Sequence, residues 1–370
     1  MSHEAIAAHG VMESGGSYNL HAQLPADAAN LALPLLEKAV REISLQGDDE
    51  SIVIGDYGSS QGKNSLAPIR TAIRVFRARF GADRQIVVTH VDQAANDFNT
   101  LFDVLHRDPQ RYSLDDPNVF PSAIGRSFYE SVFPKEHVHL GWSSYAAVWL
   151  SNIPRTIPGH IIAVGTTGEV REAFDRQGAD DWNFFLSLRA RELRPGGRLV
   201  IVLPGLADDG GSGFEILFGQ ADEAIAELVA DGVISAAERE RMVLGAYPRR
   251  RSQLLAPFIS QRKFQGLEVE VCELSSLPDA AWQDYERDGN KELLVTRHAR
   301  FFRSVFVPSL AAAIADEERR LAFPESLEQK LKGLLAERPS PFHSFVQTMV
   351  LAKNNSTTGK SEPRPLPGVS

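Results

Sequence analysis

The stretch that decides the fold is SIVIGDYGSSQGKNSL, residues 51–66. Its apolar, β-branched beginning ends in Asp56 and Gly58, and a helical pattern starts at about residue 65. This order predicts a buried strand that continues through a glycine-containing loop into a helix. In an open α/β sheet, ligands bind beyond the carboxyl ends of the strands, where such loops lead into helices. The loop at 55–66 is therefore the first candidate ligand site.

This loop differs from the common phosphate-binding loops. It has neither the GK[ST] ending of a Walker loop nor the G-x-G-x-x-G spacing of a nicotinamide-binding fingerprint, which disfavours a nicotinamide dehydrogenase. Gly58 and Gly62 would allow the backbone to approach a ligand closely. The alternative interpretation is a strand-to-helix turn that needs glycine only for its conformation.

Strands and helices alternate along the first half of the chain. β-branched runs predict strands at 51–58, 84–92, 119–124, 137–142 and 194–205. Apolar residues at three-and-four spacing predict helices at 28–44, 65–80, 96–108 and 171–193. This alternation indicates an α/β fold with a parallel sheet between two layers of helices. Two later segments could add edge strands, and these could be antiparallel: 267–274 and 343–353.

Two other segments are charged, helical in pattern and poor in strands, namely residues 207–262 and about 283–336. They are predicted to be insertions that fold together as a helical cap over the sheet. The residues beyond 353 are rich in Ser, Thr, Pro and Gly, a composition typical of a disordered tail.

The composition excludes several classes of protein. The 370 residues carry a net charge of -9, which argues against a general nucleic-acid binder because phosphates require a basic surface. The single cysteine, Cys272, excludes an intramolecular disulfide framework and a multi-cysteine metal site. No apolar run approaches the roughly 20 residues that span a bilayer, and no secretory signal is visible. A cytoplasmic protein without membrane or nucleic-acid partners is expected.

Asp92 is the second candidate, because it ends the second predicted strand. A carboxylate at this position in nucleotide-binding α/β proteins accepts hydrogen bonds from the two ribose hydroxyls. The alternative is a helix N-cap or a solvated strand end, since Asn96 and Asp97 follow closely.

An aromatic group forms the third candidate. Trp142, Tyr145 and Trp149 are spaced by three and four residues, which on a helix would create one aromatic face. Such a stripe is usually core, but here it follows a predicted strand, where a pocket would open. Trp N–H and Tyr O–H groups can donate to a substrate while their rings pack against its apolar part.

Three weaker signals are interpreted conservatively. No metal site is predicted, although His137 and His139 alternate on a strand. Cys272 is predicted to be a small core residue rather than a nucleophile. The Arg249–Arg251 cluster is predicted to be a solvated turn or an anion contact in an acidic protein.

Taken together, these segments resemble the SABATH methyltransferases, the plant-type salicylate, benzoate and jasmonate carboxyl methyltransferases and their bacterial relatives. The resemblance covers about residues 10–353 in the family's order and spacing. It is carried by GGSYN (15–19), GDYGSSQGKNSL (55–66), HVDQAANDFNTLF (90–102), SFYESVFP (127–134), WSSYAAVWLS (142–151), RELRPGGRLVIVLPG (191–205) and AYP (246–248).

The resemblance implies a class I, Rossmann-like S-adenosylmethionine (SAM) fold with a helical cap. It also implies a set of residues lining the SAM site: Tyr18, Asp56, Gly58, Asn64, Asp92, Gln93, Ser127 and Phe128. In this carry-over Asp92 takes the ribose, Asp56 and the glycine loop lie by the methionine moiety, and Ser127 and Phe128 flank the adenine. Tyr145 and Trp149 line the acceptor pocket, with Trp149 donating to the substrate carboxylate.

The sequence departs from the family at the acceptor side. The family's second carboxylate donor is a glutamine seven residues beyond the Tyr18 position, where this chain has Pro25. Gln23 could replace it only if the loop shifts, and it is therefore counted with Trp149 and Tyr145 among the catalytic candidates. Trp142 stands where plant members often have His.

The implied activity is SAM-dependent O-methylation of a small, partly apolar carboxylic acid to its methyl ester. N-methylation of a small heterocycle and a non-catalytic SAM-binding protein stay open as alternatives. Family resemblance also suggests a homodimer. The implied organisation begins with a SAM-binding domain and its N-terminal segment at 1–206. The cap has two parts, at 207–265 and 283–340, separated by a return strand at 266–282. A last core strand follows at 341–353, and the tail is 354–370.

Overall fold

An eight-stranded sheet forms the centre of the computed structural model, which describes residues 10–45, 47, 50–260 and 262–354. The strands lie in the order β3-β2-β1-β4-β5-β8-β7-β6. The first five are parallel to one another, whereas β8 is antiparallel to both of its neighbours. In chain order they are β1 Ile52–Tyr57, β2 Ile86–Asp92, β3 Val119–Gly125, β4 Val138–Ser144, β5 Leu193–Pro204, β6 Lys263–Phe264, β7 Leu267–Leu277 and β8 Ser344–Lys353.

The burial of the strands follows from their position in the sheet. Every residue of β1 is buried, as expected for a central parallel strand with helices on both of its faces. The strands predicted at 267–274 and 343–353 are β7 and β8, and both are antiparallel to their neighbours. However, β8 is not an edge strand. It lies between β5 and β7, and eight of its ten residues are buried, as expected for an interior strand that is covered on both faces.

Helices cover the sheet, and one helix predicted from the sequence is two helices in the structure. The single helix expected at 28–44 is two helices that meet at Ala32, because Pro34 suits the first turn of a new helix but not the interior of a long one. The helices are α1 Ser17–His21, α2 Gln23–Leu31, α3 Leu33–Glu42, α4 Leu66–Phe80, α5 Phe98–Arg107, α6 Gly168–Glu192, α7 Glu215–Ala230, α8 Ala236–Arg241, α9 Arg251–Leu255, α10 Ala280–Asp288, α11 Lys291–Ala311 and α12 Glu317–Glu337.

Helices from both predicted cap segments share one apolar cluster. Ile225 of α7, Phe302 of α11 and Leu327 of α12 are fully buried in it. Leu254 and Phe258, at and just after α9, belong instead to a cluster that includes Trp182 of α6 and Leu267 of β7. The last part of the 207–265 segment therefore packs on the sheet rather than with α11 and α12. The domain boundaries themselves stay a prediction, and the tail predicted to be disordered lies outside the described residues apart from Asn354.

Candidate active site

A cavity opens at the carboxyl ends of the parallel strands. It encloses about 1060 Å³ of empty space, counted out to its open mouth. Loops after β1, β2, β3 and β4 line one half, together with Tyr18 near the N-terminus. Side chains of α7 and α11 line the other half. The position agrees with the rule that open α/β sheets bind ligands outside the carboxyl ends of their strands.

Gly58 allows the loop after β1 to pass close to the loop after β4. Its φ is 88°, and a Cβ built on it would lie 2.0 Å from the Ala146 Cβ. The loop is also pinned to β2, because the Gly58 N–H donates to the Val91 carbonyl at 2.8 Å. Gly58 lines the cavity, so the turn that requires glycine and the candidate ligand site coincide.

Asp92 faces the cavity from the end of β2. Its Oδ2 accepts from the Ser60 N–H at 2.7 Å, and its Oδ1 accepts from the Gln93 N–H at 2.8 Å. Burial raises the pKa of this carboxyl to about 6 despite these two donors, and nearby Asp56 contributes in the same direction. Asp92 is not the N-cap of α5, since Asp97 has that role and accepts from the Thr100 N–H at 3.0 Å.

The structure places five of the eight predicted cofactor residues in the cavity wall: Tyr18, Gly58, Asp92, Gln93 and Phe128. The other three, Asp56, Asn64 and Ser127, do not line it. Asp56 is buried and bonded to His90 Nδ1 at 2.8 Å. The Asn64 Nδ2 donates to the Ala22 carbonyl at 3.3 Å, and the Ser127 hydroxyl accepts from the Tyr129 N–H at 3.1 Å. None of these three partners, His90, Ala22 and Tyr129, lines the cavity.

The site retains buried polar atoms that suit a polar ligand such as SAM. The hydroxyls of Ser60 and Ser144 both belong to lining residues, and neither has a hydrogen-bond partner among the described residues. Ser59 Oγ and Gln61 Oε1, in the same glycine loop, are also buried without a partner. Such atoms are rare in folded proteins, and the amino, carboxylate and hydroxyl groups of SAM could satisfy them. The donor set at this end of the cavity therefore fits the predicted cofactor.

The aromatic candidates are not on one helix, and they separate in the structure. Trp142 lies in β4, is 1% exposed and packs in the core, because the strand alternation directs it away from the cavity. Tyr145 follows the strand at a φ of 58°, and its ring lines the cavity while its hydroxyl lies 3.3 Å from Ser344 Oγ. Trp149 also lines the cavity, and no described residue accepts a hydrogen bond from its indole N–H.

Gln23 does not reach the cavity, and its assignment as a carboxylate donor is wrong for this structure. It is exposed, and its Nε2 donates to Asp27 Oδ1 at 2.7 Å. The periodicity of α2 explains this, because Leu24 and Pro25 occupy the inner face while Gln23 and Asp27, one turn apart, share an outer one. Pro25 lines the cavity in the predicted place of the donor.

The helical segments contribute an aromatic wall to the cavity that was not predicted from the sequence. Its members are Phe214, Phe218, Phe301 and Phe306. The Phe306 ring centroid lies 5.1 Å from that of Phe218 and 6.1 Å from that of Trp149, so the wall is continuous with the loop after β4. Asp92 is the only charged side chain among the described residues that line the cavity. No local signal distinguishes these phenylalanines from ordinary core residues.

The Arg249–Arg251 cluster is not a solvated turn. Arg249 is 1% exposed and donates to backbone carbonyls, and the Arg251 Nε donates to the Cys272 carbonyl at 3.0 Å. Cys272 itself is buried in β7. His139 is buried too, and its Nδ1 accepts from the Val53 N–H at 3.0 Å. Within the described ranges, no group of three or more His, Cys, Asp or Glu side chains could hold a metal ion.

The fold and this site define the class of the protein. A parallel sheet with a glycine loop after β1, an acid at the end of β2 and a deep cavity at the same edge is the arrangement of a Rossmann-like SAM-dependent methyltransferase. A solved structure of loganic acid methyltransferase with SAH has this fold, with a TM-score of 0.77 and 21% identity over 94% of this chain and 99% of that one. The predicted fold class is thereby confirmed.

The family model for SAM dependent carboxyl methyltransferases matches residues 6–354, and the chain belongs to this family. Salicylate carboxymethyltransferase of Clarkia breweri is 26% identical over 88% of this chain and 90% of its own length. Gibberellic acid methyltransferase 2 of Arabidopsis thaliana is 26% identical over 74% of this chain and 76% of its own. The predicted family, the enzyme class and the SAM cofactor are confirmed, while the individual roles of the site residues stay predictions.

None of the helices in the described part of the chain is both long and apolar enough to cross a membrane.

Proposed function

We propose that this carboxyl methyltransferase esterifies a small acid with an apolar body, held in the half of the cavity farthest from Asp92. One observation carries the proposal. The aromatic wall and Trp149 enclose space that contains no charged side chain from the described residues, and the unpartnered indole N–H of Trp149 belongs to it. An apolar body would pack against the rings, and the carboxylate would accept from the indole.

Asp92, Tyr18, Gln93 and Phe128 would hold SAM, with the glycine loop beside it. SAM supplies a methyl group on a positively charged sulfur, which a carboxylate oxygen can accept directly. Burial keeps the pKa of Tyr18 well above its ordinary value, so its phenol stays protonated and can only donate or accept a neutral hydrogen bond at pH 7. Asp92 is the residue with free acceptor capacity toward the ribose.

The acceptor needs no general base. A carboxylic acid with a pKa of about 4 to 5 is already ionised at pH 7. The chain's task is then to orient the carboxylate and exclude water, and such positioning can contribute roughly 7–11 kcal/mol to a reaction. A neutral donor such as Trp149 suits this task, because a direct ion pair would stabilise the bound acid more than the transition state.

N-methylation of a heterocycle has less support from the site. A ring N–H would have to lose its proton, and the lining residues of the aromatic half include no His, Lys, Asp or Glu to accept it. A rate that still rises above pH 7 with a xanthine acceptor would favour this alternative. Tight SAM binding without turnover on any acceptor would favour a non-catalytic SAM-binding protein.

The test is incubation of the full chain with methyl-labelled SAM and a panel of acids. The panel contains benzoate, cinnamate, 3-phenylpropanoate, indole-3-acetate, octanoate and farnesoate. Labelled methyl ester, extracted and identified by mass, is the expected result. SAM binding without any ester across the panel would overturn the proposal.

Two predictions from the sequence accompany the proposed activity. Light scattering would check the homodimer, and imaging of a fluorescent fusion would check the cytoplasmic location.

A further inference from the structure

The backbone of Gly10, which lines the cavity, lies directly against the Trp149 indole. A Cβ built on Gly10 would lie 3.0 Å from both Cγ and Cδ2 of the Trp149 ring and 3.3 Å from its Cε3. Since a C–C bond is about 1.5 Å long, the Gly10 Cα is within about 4.5 Å of the ring, which is contact distance. None of these three ring atoms is bonded to Nε1. Gly10 therefore touches the indole on atoms other than those that flank its N–H.

This contact requires glycine for two reasons. The φ of Gly10 is 77°, a left-handed conformation that is costly for any residue with a Cβ. A Cβ at 3.0 Å from the ring would also be closer than nine in ten Cβ contacts in proteins. A larger residue at position 10 could be accommodated only if the ring or this part of the chain moved.

Two hydrogen bonds fix this part of the chain on α11. The Gly10 N–H donates to Ser309 Oγ at 3.0 Å, and the Glu13 N–H donates to the Ser304 carbonyl at 3.0 Å. The Ser304 carbonyl is available because Pro308, four positions later in the helix, has no N–H to donate to it. Gly10 thus has a fixed position relative to α11.

The same helix supplies a second contact to the indole. The Phe306 ring centroid lies 6.1 Å from that of Trp149, and the two rings are inclined at 49°. Phe306 and Ser309 are three positions apart, so they lie on one face of α11. The Trp149 backbone is fixed independently, because its N–H donates to the Ala146 carbonyl at 3.0 Å and its carbonyl accepts from the Tyr129 hydroxyl at 2.7 Å. These contacts restrict the side-chain torsions of Trp149 and with them the direction of its N–H.

We propose that Gly10 is a positioning residue for methyl transfer, whose backbone, anchored on α11, holds the Trp149 indole in the orientation that directs its N–H to the substrate carboxylate. This inference rests on the proposed function, since it concerns the acid that Trp149 would hold. A displacement of the reacting groups by about 1 Å can cost about 100-fold in rate. In this role Gly10 acts on the acid only through Trp149.

A purely conformational need for glycine is the competing explanation, because alanine at a φ of 77° is strained whatever lies beside it. Gly232, in the turn after α7, provides the matched control. Its φ is 74°, and nothing lies within 4 Å of a built Cβ. Gly232→Ala therefore carries a similar backbone cost to Gly10→Ala, but its methyl group meets no ring.

The first measurement is independent of activity. The chain has four tryptophans, so NMR of the isotope-labelled full chain should show four indole N–H signals, and Trp149→Phe identifies the Trp149 signal by its loss. Gly10→Ala should shift the Trp149 signal and leave the other three in place, whereas Gly232→Ala should leave all four in place. An unchanged Trp149 signal in Gly10→Ala would overturn the inference, whether or not any acid is methylated.

The second measurement is kcat at saturating SAM, with the acid that the panel shows to be methylated best. Gly10→Ala is expected to lower kcat about tenfold, with the dissociation constant of SAH unchanged. In the Trp149→Phe background the same substitution should change kcat by less than about twofold, because no indole N–H is left to misdirect.

Equal losses of kcat in the two backgrounds would overturn the inference while leaving the proposed function intact. Should Gly10→Ala fail to fold, Ser309→Ala decides instead. It removes the acceptor of the Gly10 N–H and adds no atom, so the Trp149 signal should shift and kcat should fall by a smaller factor. An unmoved signal or an unchanged kcat would count against the inference. If no acid in the panel is methylated, the proposed function fails and the role in methyl transfer with it, whereas the indole signals still decide whether Gly10 fixes Trp149.

Discussion

The Ser60 N–H donates to Asp92 Oδ2 at 2.7 Å and so joins the glycine loop after β1 to the end of β2. The other Asp92 oxygen is held by the Gln93 N–H at 2.8 Å. Each carboxylate oxygen has a second lone pair, so Asp92 can hold the loop and still accept from a ligand. Two elements that line the cavity are thus aligned by one side chain.

Asp92→Ala should weaken SAM binding at least about 100-fold, because it removes the ligand's acceptor and releases the Ser60 N–H at the same time. Titration calorimetry with SAM measures the effect. Asp103→Ala is the matched control, since the Asp103 side chain on α5 is 64% exposed and forms an ion pair with Arg107 at 3.6 Å. Full SAM affinity in Asp92→Ala would remove Asp92 from the cofactor site.

SAM affinity should fall as the pH drops through about 6. Burial raises the Asp92 pKa to about 6, and below that value the protonated carboxyl donates through its hydroxyl and no longer serves as a two-site acceptor. The dissociation constant should then rise by about tenfold per pH unit below the pKa. Calorimetry between pH 5 and pH 8 checks this, and Asp92→Asn should show a flat profile at lower affinity.

Gly58→Ala should destabilise the protein by about 2 kcal/mol or more, because a left-handed backbone is costly for alanine and the new Cβ would lie 2.0 Å from the Ala146 Cβ. Gly333→Ala provides the contrast. Gly333 is inside α12 with nothing within 4 Å of a built Cβ, so alanine should stabilise by about 0.5–1 kcal/mol. Urea unfolding of both variants tests whether the two substitutions change the free energy of unfolding in opposite directions.

Trp149→Phe should lower kcat/KM for the acid by about 10- to 100-fold, because it keeps a ring in the wall but removes the proposed charge-assisted hydrogen bond to the carboxylate. SAM affinity should not change. Trp282→Phe is the control, since the Trp282 indole on α10 bonds to Glu286 at 2.8 Å on the exposed surface. A loss of SAM binding in Trp149→Phe with normal turnover at saturating SAM would contradict the assignment.

Local patterns were sufficient for the five parallel strands and for the strand-end residues that line the cavity. The β-branched runs ending in Asp56 and Asp92 became neighbouring parallel strands, whose carboxyl ends must meet at one edge. Gly58 and Asp92 could therefore be assigned to one site from their positions at strand ends. Short patterns were less informative for β8, because a buried apolar run does not indicate which strands it will pair with.

The acceptor end could not be predicted in the same way. Phe306 is 157 positions beyond Trp149, yet their ring centroids lie 6.1 Å apart. Gln23 and Pro25 differ by two positions, and only the orientation of α2 decides that Pro25 faces the cavity. Each of these outcomes depends on contacts between helices that are remote in sequence.

The sequence by itself determined the alternation of strands and helices and the residues that meet at the strand ends, because periodicity and chain direction control both. Its motifs, in their order and spacing, carried the resemblance to the family. Only the tertiary structure decided which aromatic side chains line the cavity, that Trp142 is core, and that Arg249 is buried. Burial is a property of the packed molecule. An arginine is charged wherever it lies, and its surroundings decide how strongly that charge acts on other groups.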